Sequence, residues 1–242
     1  MQASKQDIIS QLKKSVLEWE GFKAPLLGGN DSVGLGAIEQ SFPNGVFPAG
    51  AIHEFITATH EQEAVSTAFI AGILGRLMEN NGPCLWISPA KDVFPAALKH
   101  YGVEPDRFIF IRTAKQKDIL WIGEEALKCN GIAAVILELP QISFQEARRL
   151  QLCVEKSNTT GFVLRTDPSK ITSTPCVARW NVTPMPSSLP AEMPGVGFSC
   201  WSVELQKVRN GNPGQWRVQW MPDGFQVLEQ SSEIEVTQRK VG

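Results

Sequence analysis

Short apolar strands that alternate with helical segments constrain the fold of this chain most strongly. The predicted strands are Ala51–Ile56, Cys84–Ile87, Phe108–Arg112, Ile132–Leu137 and Gly161–Arg165. The predicted helices between them are Glu63–Glu79, Val93–Tyr101, Lys117–Cys129 and Gln145–Lys156. This alternation predicts an α/β fold with right-handed crossovers around a mostly parallel sheet. Residues 133–137 and 162–164 are entirely apolar, which is typical of strands covered on both faces.

The two ends of the chain depart from this pattern. Partly alternating strands are predicted at Arg179–Val182, Trp201–Val208 and Gln215–Trp220, and a turn cluster at 210–214 joins two of them into an antiparallel hairpin. Residues 4–19 predict an amphipathic helix that a glycine-rich linker separates from the rest. We therefore divide the chain into an N-terminal helix and linker (1–34), a core (35–228) and a polar C-terminal tail (229–242).

Composition restricts the function classes. The chain has 23 Lys and Arg against 25 Asp and Glu, a net charge of -2, whereas proteins that bind nucleic acid mainly through phosphate are usually more basic. The 5 cysteines lack a CxxC pair and the 3 histidines lack metal-ligand spacing, so we predict neither a disulfide framework nor a metal site. Apolar runs are too short to cross a membrane, and the sequence predicts a cytoplasmic protein.

The order of elements resembles the RecA-like superfamily. The turn, glycine and strand at Phe47–Phe55 resemble the entry into the RecA-like core, and the late hairpin resembles its last hairpin. Within that superfamily, segments 85–89, 120–127 and 147–152 resemble the ImuA family of bacterial error-prone translesion synthesis. The resemblance implies a non-catalytic accessory protein of the SOS response. Its implied partners are a Y-family polymerase homologue and an error-prone replicative-type polymerase, and it would be nucleoid-associated when engaged.

The loop after the first core strand departs from the phosphate-binding loop of RecA-like ATPases, G-x-x-x-x-G-K-[ST]. Thr57 and Gln62 stand at the glycine positions, Glu63 at the lysine position and Ala64 at the hydroxyl position. No register repairs the motif, because no lysine lies between Lys23 and Lys91. Two unit charges 4 Å apart interact by about 4 kcal/mol at an effective dielectric near 20, so replacing lysine by glutamate changes attraction into repulsion. The sequence predicts a degenerate loop and no nucleotide cofactor.

Two further ATPase positions are also altered. Glu138 stands where the family places an acidic metal-coordinating residue, and its alternative role is a structural carboxylate at a strand end. Ala90 stands where the family has the glutamate that activates water. We therefore predict no catalytic residue. Two alternatives stay open: an atypical ATPase that uses Glu138 with Lys91 or Lys115, and a RecA-like inhibitor of cell division.

Candidate contact residues come from the same resemblance, which places two DNA-facing loops at 139–144 and 166–175. The cations nearby are candidates for weak contact with single-stranded DNA, and solvated surface charge is their alternative role: Arg148, Arg149, Arg165 and Lys170. Apolar residues on the N-terminal helix and the hairpin are candidates for partner contact or self-association, and packing within the same domain is the alternative: Leu17, Trp19, Trp216 and Trp220.

Overall fold

A single nine-stranded sheet organises the computed structural model, which describes residues 11–12, 15–16, 32–79, 82–90, 93–171, 173–187, 195 and 197–230. The strands in chain order are β1 Ile52–Ile56, β2 Cys84–Ser88, β3 Phe108–Arg112, β4 Ala134–Leu139, β5 Thr160–Arg165, β6 Ala178–Met185, β7 Cys200–Val208, β8 Gly214–Met221 and β9 Gly224–Gln230. Their order across the sheet is β3-β2-β4-β5-β1-β6-β7-β8-β9.

The sheet is parallel from β3 to β6 and antiparallel from β6 to β9. β1 lies between β5 and β6 and pairs with both in parallel, whereas β7 and β8 each run antiparallel to their neighbours. The predicted α/β class, with a mostly parallel sheet and antiparallel C-terminal strands, is confirmed. The final strand, β9, was not predicted, and it extends the sheet beyond the proposed core boundary at residue 228.

Three helices cover the parallel part of the sheet. α1 (His60–Leu77) packs on one face, and α2 (Gln116–Leu127) and α3 (Phe144–Ser157) pack on the other. α3 begins with a complete capping box between Ser143 and Glu146. The helix predicted at 93–101 is a 3-10 helix, Pro95–Tyr101. Pro95 stands at its first position, and Gly102, with a φ of 76°, ends it.

Aromatic residues fill the core on the α1 side of the sheet. His53 lies among them without any exposed surface, and its ring stacks on Phe47 with ring centroids 4.3 Å apart. The Nε2 of His53 contacts the Pro48 carbonyl oxygen at 2.9 Å, and burial lowers the pKa of His53 to about 4. His53 is therefore a neutral structural residue of the core, as its position in a strand predicts.

The chain ends refine the predicted boundaries. Val33 is 4% exposed and packs in the core, so the last part of the predicted linker (1–34) belongs to the folded domain. Within the predicted N-terminal helix, residues 11–12 and 15–16 are helical, and Leu12 is 60% exposed. Leu17, Trp19 and the tail from residue 231 lie outside the described residues.

Candidate functional site

The carboxyl ends of β1, β4 and β5 lie side by side at one end of the sheet. This end is the ligand edge, where open α/β folds bind their ligands. This edge carries the predicted phosphate loop, Glu138 and both predicted DNA-facing loops. The hydrogen bonds that the polar groups of this edge make therefore decide what it can bind.

The turn from β1 to α1 is short and closed. Thr57 donates both its N–H and its hydroxyl to the Arg165 carbonyl oxygen, at 2.9 and 3.0 Å. Thr59 caps α1 by accepting a hydrogen bond from the Gln62 N–H at 3.3 Å. The Gln62 side chain in turn accepts the Ala58 N–H at 2.7 Å. Protein oxygens therefore already take up amides that a phosphate-binding loop would direct toward phosphate.

The first turn of α1 is acidic where an ATPase requires a cation. Glu63 lies 3.5 Å from the exposed His60 ring, and its side chain is 20% exposed. Glu61 is fully exposed, and a hydrogen bond with the Thr59 side chain is the main cause that lowers the pKa of its carboxyl group. Both acids are stabilised by the positive end of the helix dipole. Ala64 offers no hydroxyl for a metal ion, so the residues present do not fit a magnesium nucleotide.

Glu138 is a buried internal acceptor. It lies within β4, one residue before the strand ends, and is 3% exposed. Its Oε1 accepts a hydrogen bond from the Trp86 indole N–H on the neighbouring β2. Glu138 therefore makes a structural hydrogen bond near the strand end, which agrees with the alternative role considered for it. At the predicted position of the water-activating glutamate, the Ala90 carbonyl accepts the Ser88 hydroxyl at 2.7 Å, and Lys91 and Asp92 lie outside the described residues.

The two predicted DNA-facing loops are hydrogen-bonded to each other. The N–H groups of Thr166 and Asp167 donate to the carbonyls of Leu139 and Pro140, both at 3.1 Å. The Gln141 side chain then donates to Asp167 Oδ2 at 2.5 Å. This pairing continues the β4–β5 ladder past the strand ends and closes the space between the loops.

The four candidate DNA cations do not form one surface. Arg165 is 1% exposed and donates to Glu54 at 2.8 Å, so its assignment as a DNA contact is wrong: the guanidinium is buried and already paired. Arg149 is exposed on α3 and lies 2.6 Å from Glu124, and Arg148 lies 4.0 Å from Glu155. Lys170 ends the 3-10 turn Pro168–Lys170, and its side chain is outside the described part.

A buried ionic cluster beneath this edge escaped the sequence reasoning. Glu54 in β1 is completely buried and accepts three hydrogen bonds: from Arg165 at 2.8 Å, Arg179 at 2.7 Å and the Thr174 hydroxyl at 2.9 Å. Lys207 of β7 also donates to the Thr174 carbonyl, at 2.5 Å. The cluster ties the second loop to β1, β5, β6 and β7. One signal was available, a glutamate next to a histidine in a strand whose other residues are apolar.

The tryptophans proposed as partner contacts are core residues. Trp216 and Trp220 are 2% and 8% exposed, and Trp220 donates its indole N–H to the His100 carbonyl at 3.0 Å. They pack toward the α1 face, so their assignment to an interface is wrong, and the alternative weighed for them is correct. The most exposed aromatic side chains of the described residues lie elsewhere: Phe94 is 70% exposed, Trp121 64% and Phe144 54%.

A cavity of about 340 Å³ lies at the opposite end of α1. Tyr101, Trp220 and Phe225 line it together with Arg76 and Glu79, which pair at 2.8 Å. Among the described residues, no group of three or more His, Cys, Asp or Glu is arranged to hold a metal ion. Within the same part of the chain, no helix combines the length and apolar character needed to cross a membrane.

The comparisons with known proteins agree with this architecture. No family model matches the sequence. The crystal structure of the RadB recombinase superposes with a TM-score of 0.56 at 14% identity, covering 82% of this chain and all of that one, which shows the RecA-like fold. Cell division inhibitor SulA of Yersinia pestis (strain Pestoides F) is 26% identical over 117 residues, or 48% of this chain and 68% of that protein.

A longer match establishes the family. Protein ImuA of Caulobacter vibrioides (strain NA1000 / CB15N) is 30% identical over 228 residues, which cover 87% of this chain and 93% of that protein. This match covers most of both proteins, unlike the partial match to SulA. The chain therefore belongs to the ImuA family, with a RecA-like fold and an accessory role related to DNA damage.

Proposed function

We propose that this protein is a non-catalytic accessory factor of SOS-induced, error-prone translesion DNA repair. It acts through contacts with a Y-family polymerase homologue and an error-prone replicative-type polymerase, and any contact with single-stranded DNA is weak. It works in the cytoplasm and associates with the nucleoid when engaged. The fold serves as a scaffold whose ancestral nucleotide edge carries out no chemistry.

The closed β1–α1 turn carries this proposal. To bind a triphosphate, the chain would have to release the Ala58 amide from Gln62 and place phosphate beside Glu61 and Glu63. This hydrogen bond is exposed to solvent and contributes about 0.5–1.5 kcal/mol, and the carboxylates add repulsion in place of the attraction that a lysine supplies. Both terms oppose nucleotide binding.

Calorimetric titration with ATP, with and without Mg²⁺, tests the proposal. We expect no saturable heat in either condition. Glu63→Lys combined with Ala64→Thr restores the charge and the hydroxyl but keeps the short turn, so this variant should also fail to bind. Micromolar, magnesium-dependent affinity of the wild-type protein would favour the atypical ATPase and contradict the scaffold.

Partner capture tests the other half of the proposal. The purified chain should retain a Y-family polymerase homologue on an affinity resin. We expect Leu17→Ser and Trp19→Ser to weaken that retention if the N-terminal helix is the docking element. Leu228→Ser, which alters a residue 38% exposed on β9, is the matched control. Full retention by both N-terminal variants would move the contact to another surface.

DNA contact has its own measurement. Arg148→Ala and Arg149→Ala should lower the already weak affinity for single-stranded DNA in fluorescence anisotropy, and added salt should abolish it. Arg148 and Arg149 are suitable positions because both side chains are substantially exposed on α3. An affinity that neither substitution nor salt changes would exclude this surface.

The partial match to SulA supports a second candidate, a cell-division inhibitor. The match covers about half of this chain, whereas the ImuA match covers most of it. Co-purification separates the two candidates: retention of a division protein, without retention of either polymerase, would favour the inhibitor.

A further inference from the structure

The outermost strand β3 forms a lateral edge of the sheet, and this edge is open. It lies at the end of the strand order and pairs only with β2 among the described strands. The N–H of Thr113 bonds the Ser88 carbonyl on β2, and successive residues of a strand direct their backbone groups to opposite sides. Phe110 and Arg112 therefore direct their N–H and C=O groups away from the sheet, and among the described residues no backbone partner meets them.

The side chains along this edge are apolar on both faces. Ile109 is 50% exposed and lies on the face that α2 covers, beside Ile111. Phe110 is 41% exposed on the opposite face, where it stacks on Phe108 with ring centroids 5.6 Å apart. An open edge with apolar groups on both faces exposes surface that a further strand would bury.

The two edges of the sheet differ in protection. β9, at the other edge, contains Gln226, Glu229 and Gln230, and its pairing with β8 includes a bulge. β3 has the sequence Phe-Ile-Phe-Ile-Arg, with no proline, no glycine and no charge before its last residue, and its pairing with β2 is regular. Proteins usually protect exposed edges by bulges, prolines and charges, so the unprotected apolar edge is the one adapted to pairing.

We propose that β3 pairs with β3 of a second copy of this chain, antiparallel, around a two-fold axis at Phe110. In that register Phe110 faces the partner's Phe110, Ile109 faces the partner's Ile111, and Phe108 faces the partner's Arg112. Phe110 directs its backbone groups outward, so the central residues exchange two hydrogen bonds. The N–H of Arg112 meets the outward C=O of the partner's Phe108, while the N–H of Phe108 is already bonded to Pro105.

Self-complementarity selects a second copy as the occupant. Because the central three residues, 109–111, are all apolar, inverting the strand about Phe110 places apolar side chains opposite apolar side chains on both faces. The only charged residue of the strand, Arg112, faces Phe108 rather than another arginine. A two-fold interface requires such a self-matching surface, and the two sheets would then join into one.

Disulfide trapping tests the register. Opposed residues in a hydrogen-bonded antiparallel pair have Cα atoms about 5.5 Å apart, within the range that a disulfide spans. Phe110→Cys should form a covalent dimer under mild oxidation, in a Cys129→Ser background because Cys129 is exposed. Leu152→Cys, at a residue 44% exposed on α3, is the matched control and should stay monomeric. Equal cross-linking of both variants, or none at Phe110→Cys, overturns the proposal.

Light scattering over the micromolar range provides an independent measurement. The wild-type chain should show a concentration-dependent dimer. Phe110→Lys opposes two like charges across the axis, so self-association should weaken by about tenfold or more, whereas Leu152→Lys should leave it unchanged. Circular dichroism verifies that both variants are folded. A wild-type chain that remains monomeric, while Phe110→Lys loses retention of the polymerase homologue, would assign the edge to that protein and overturn the dimer.

Discussion

Replacing Glu54 with glutamine tests whether the buried ionic cluster stabilises the sheet where the predicted ligand edge begins. The Glu54 carboxylate is completely buried and receives hydrogen bonds from two arginines and one threonine. Glutamine keeps the shape but removes the charge, and its NH₂ group must face at least one of these donors. Arg165, which is 1% exposed, would then lose the carboxylate that accepts its hydrogen bond.

The expected cost follows from that burial. Removing one partner of a buried ion pair typically costs about 3–5 kcal/mol, because the remaining charge loses its compensation. A domain of this kind is stable by about 5–15 kcal/mol, so the change removes a large share of the total. For 150–250 residues each kcal/mol shifts the melting temperature by about 2–4 °C, which predicts a decrease of about 6–20 °C.

Urea denaturation followed by tryptophan fluorescence measures the effect. Glu204→Gln is the matched control, because Glu204 is half-buried on β7 and accepts a hydrogen bond from the neutral side chain of Gln206, at 3.0 Å. The control should change the free energy of unfolding by less than about 0.5 kcal/mol. Hydrogen exchange should also accelerate in residues 166–175, because the hydroxyl of Thr174 in this loop donates a hydrogen bond to Glu54. A cost below about 1 kcal/mol for Glu54→Gln would refute the reasoning.

Three further predictions use other parts of the core. The folded pKa of His53 is about 4 against 6.5 in the unfolded chain, so the unfolded state binds more protons between these values and stability falls as pH decreases through this window. The contribution is about 3 kcal/mol in total, and urea titrations at successive pH values should show it in the wild type but not in His53→Phe. Gly72→Ala should lower the free energy of unfolding by about 1–3 kcal/mol, because its Cβ would lie 2.5 Å from Phe225 Cζ. Gly131→Ala is the control, since its Cβ would meet nothing within 4 Å. Equal costs of the two substitutions in urea denaturation would contradict this prediction. Burial raises the pKa of Cys176 to about 12, so a thiol reagent should modify exposed Cys129 in the native protein and reach Cys176 only after unfolding, as peptide mapping would show.

The sequence predicted the parallel strands well because turns delimit each of these mostly apolar segments, including the partly exposed edge strand β3. β3 was predicted with the observed bounds, and β1 and β5 differ from their predictions by one residue each. Strands buried on both faces read as continuous apolar runs that flanking turns delimit clearly. β9 was missed because its Phe-Gln-Val-Leu-Glu-Gln pattern alternates poorly, and the bulge in its pairing with β8 breaks the two-residue period.

The errors at the candidate site concern long-range contacts. Arg165 resembled a free cation at a strand end because its partner, Glu54, lies 111 residues earlier in the chain. Trp216 and Trp220 stood on a hairpin with no sequence signal to show which face would meet α1. In each case the sequence showed correctly that the residue is charged or apolar. It did not show which distant residues the order of strands in the sheet would bring into contact with it.

The altered residues of the ligand edge share one physical property. Gln62 binds the Ala58 amide, Thr57 binds the Arg165 carbonyl, and Glu138 accepts the Trp86 indole. A site prepared for a ligand holds polar groups whose hydrogen bonds the ligand completes, whereas these groups complete one another inside the protein. A nucleotide would therefore have to break existing bonds before forming its own. Binding gains only the difference between the hydrogen bonds that form with the ligand and those that break within the protein. A ligand edge whose polar groups already bond one another therefore favours rigidity over ligand exchange. This preference suits the proposed scaffold, whose proposed contact surfaces, including the open edge at Phe110, lie on the outside of the fold.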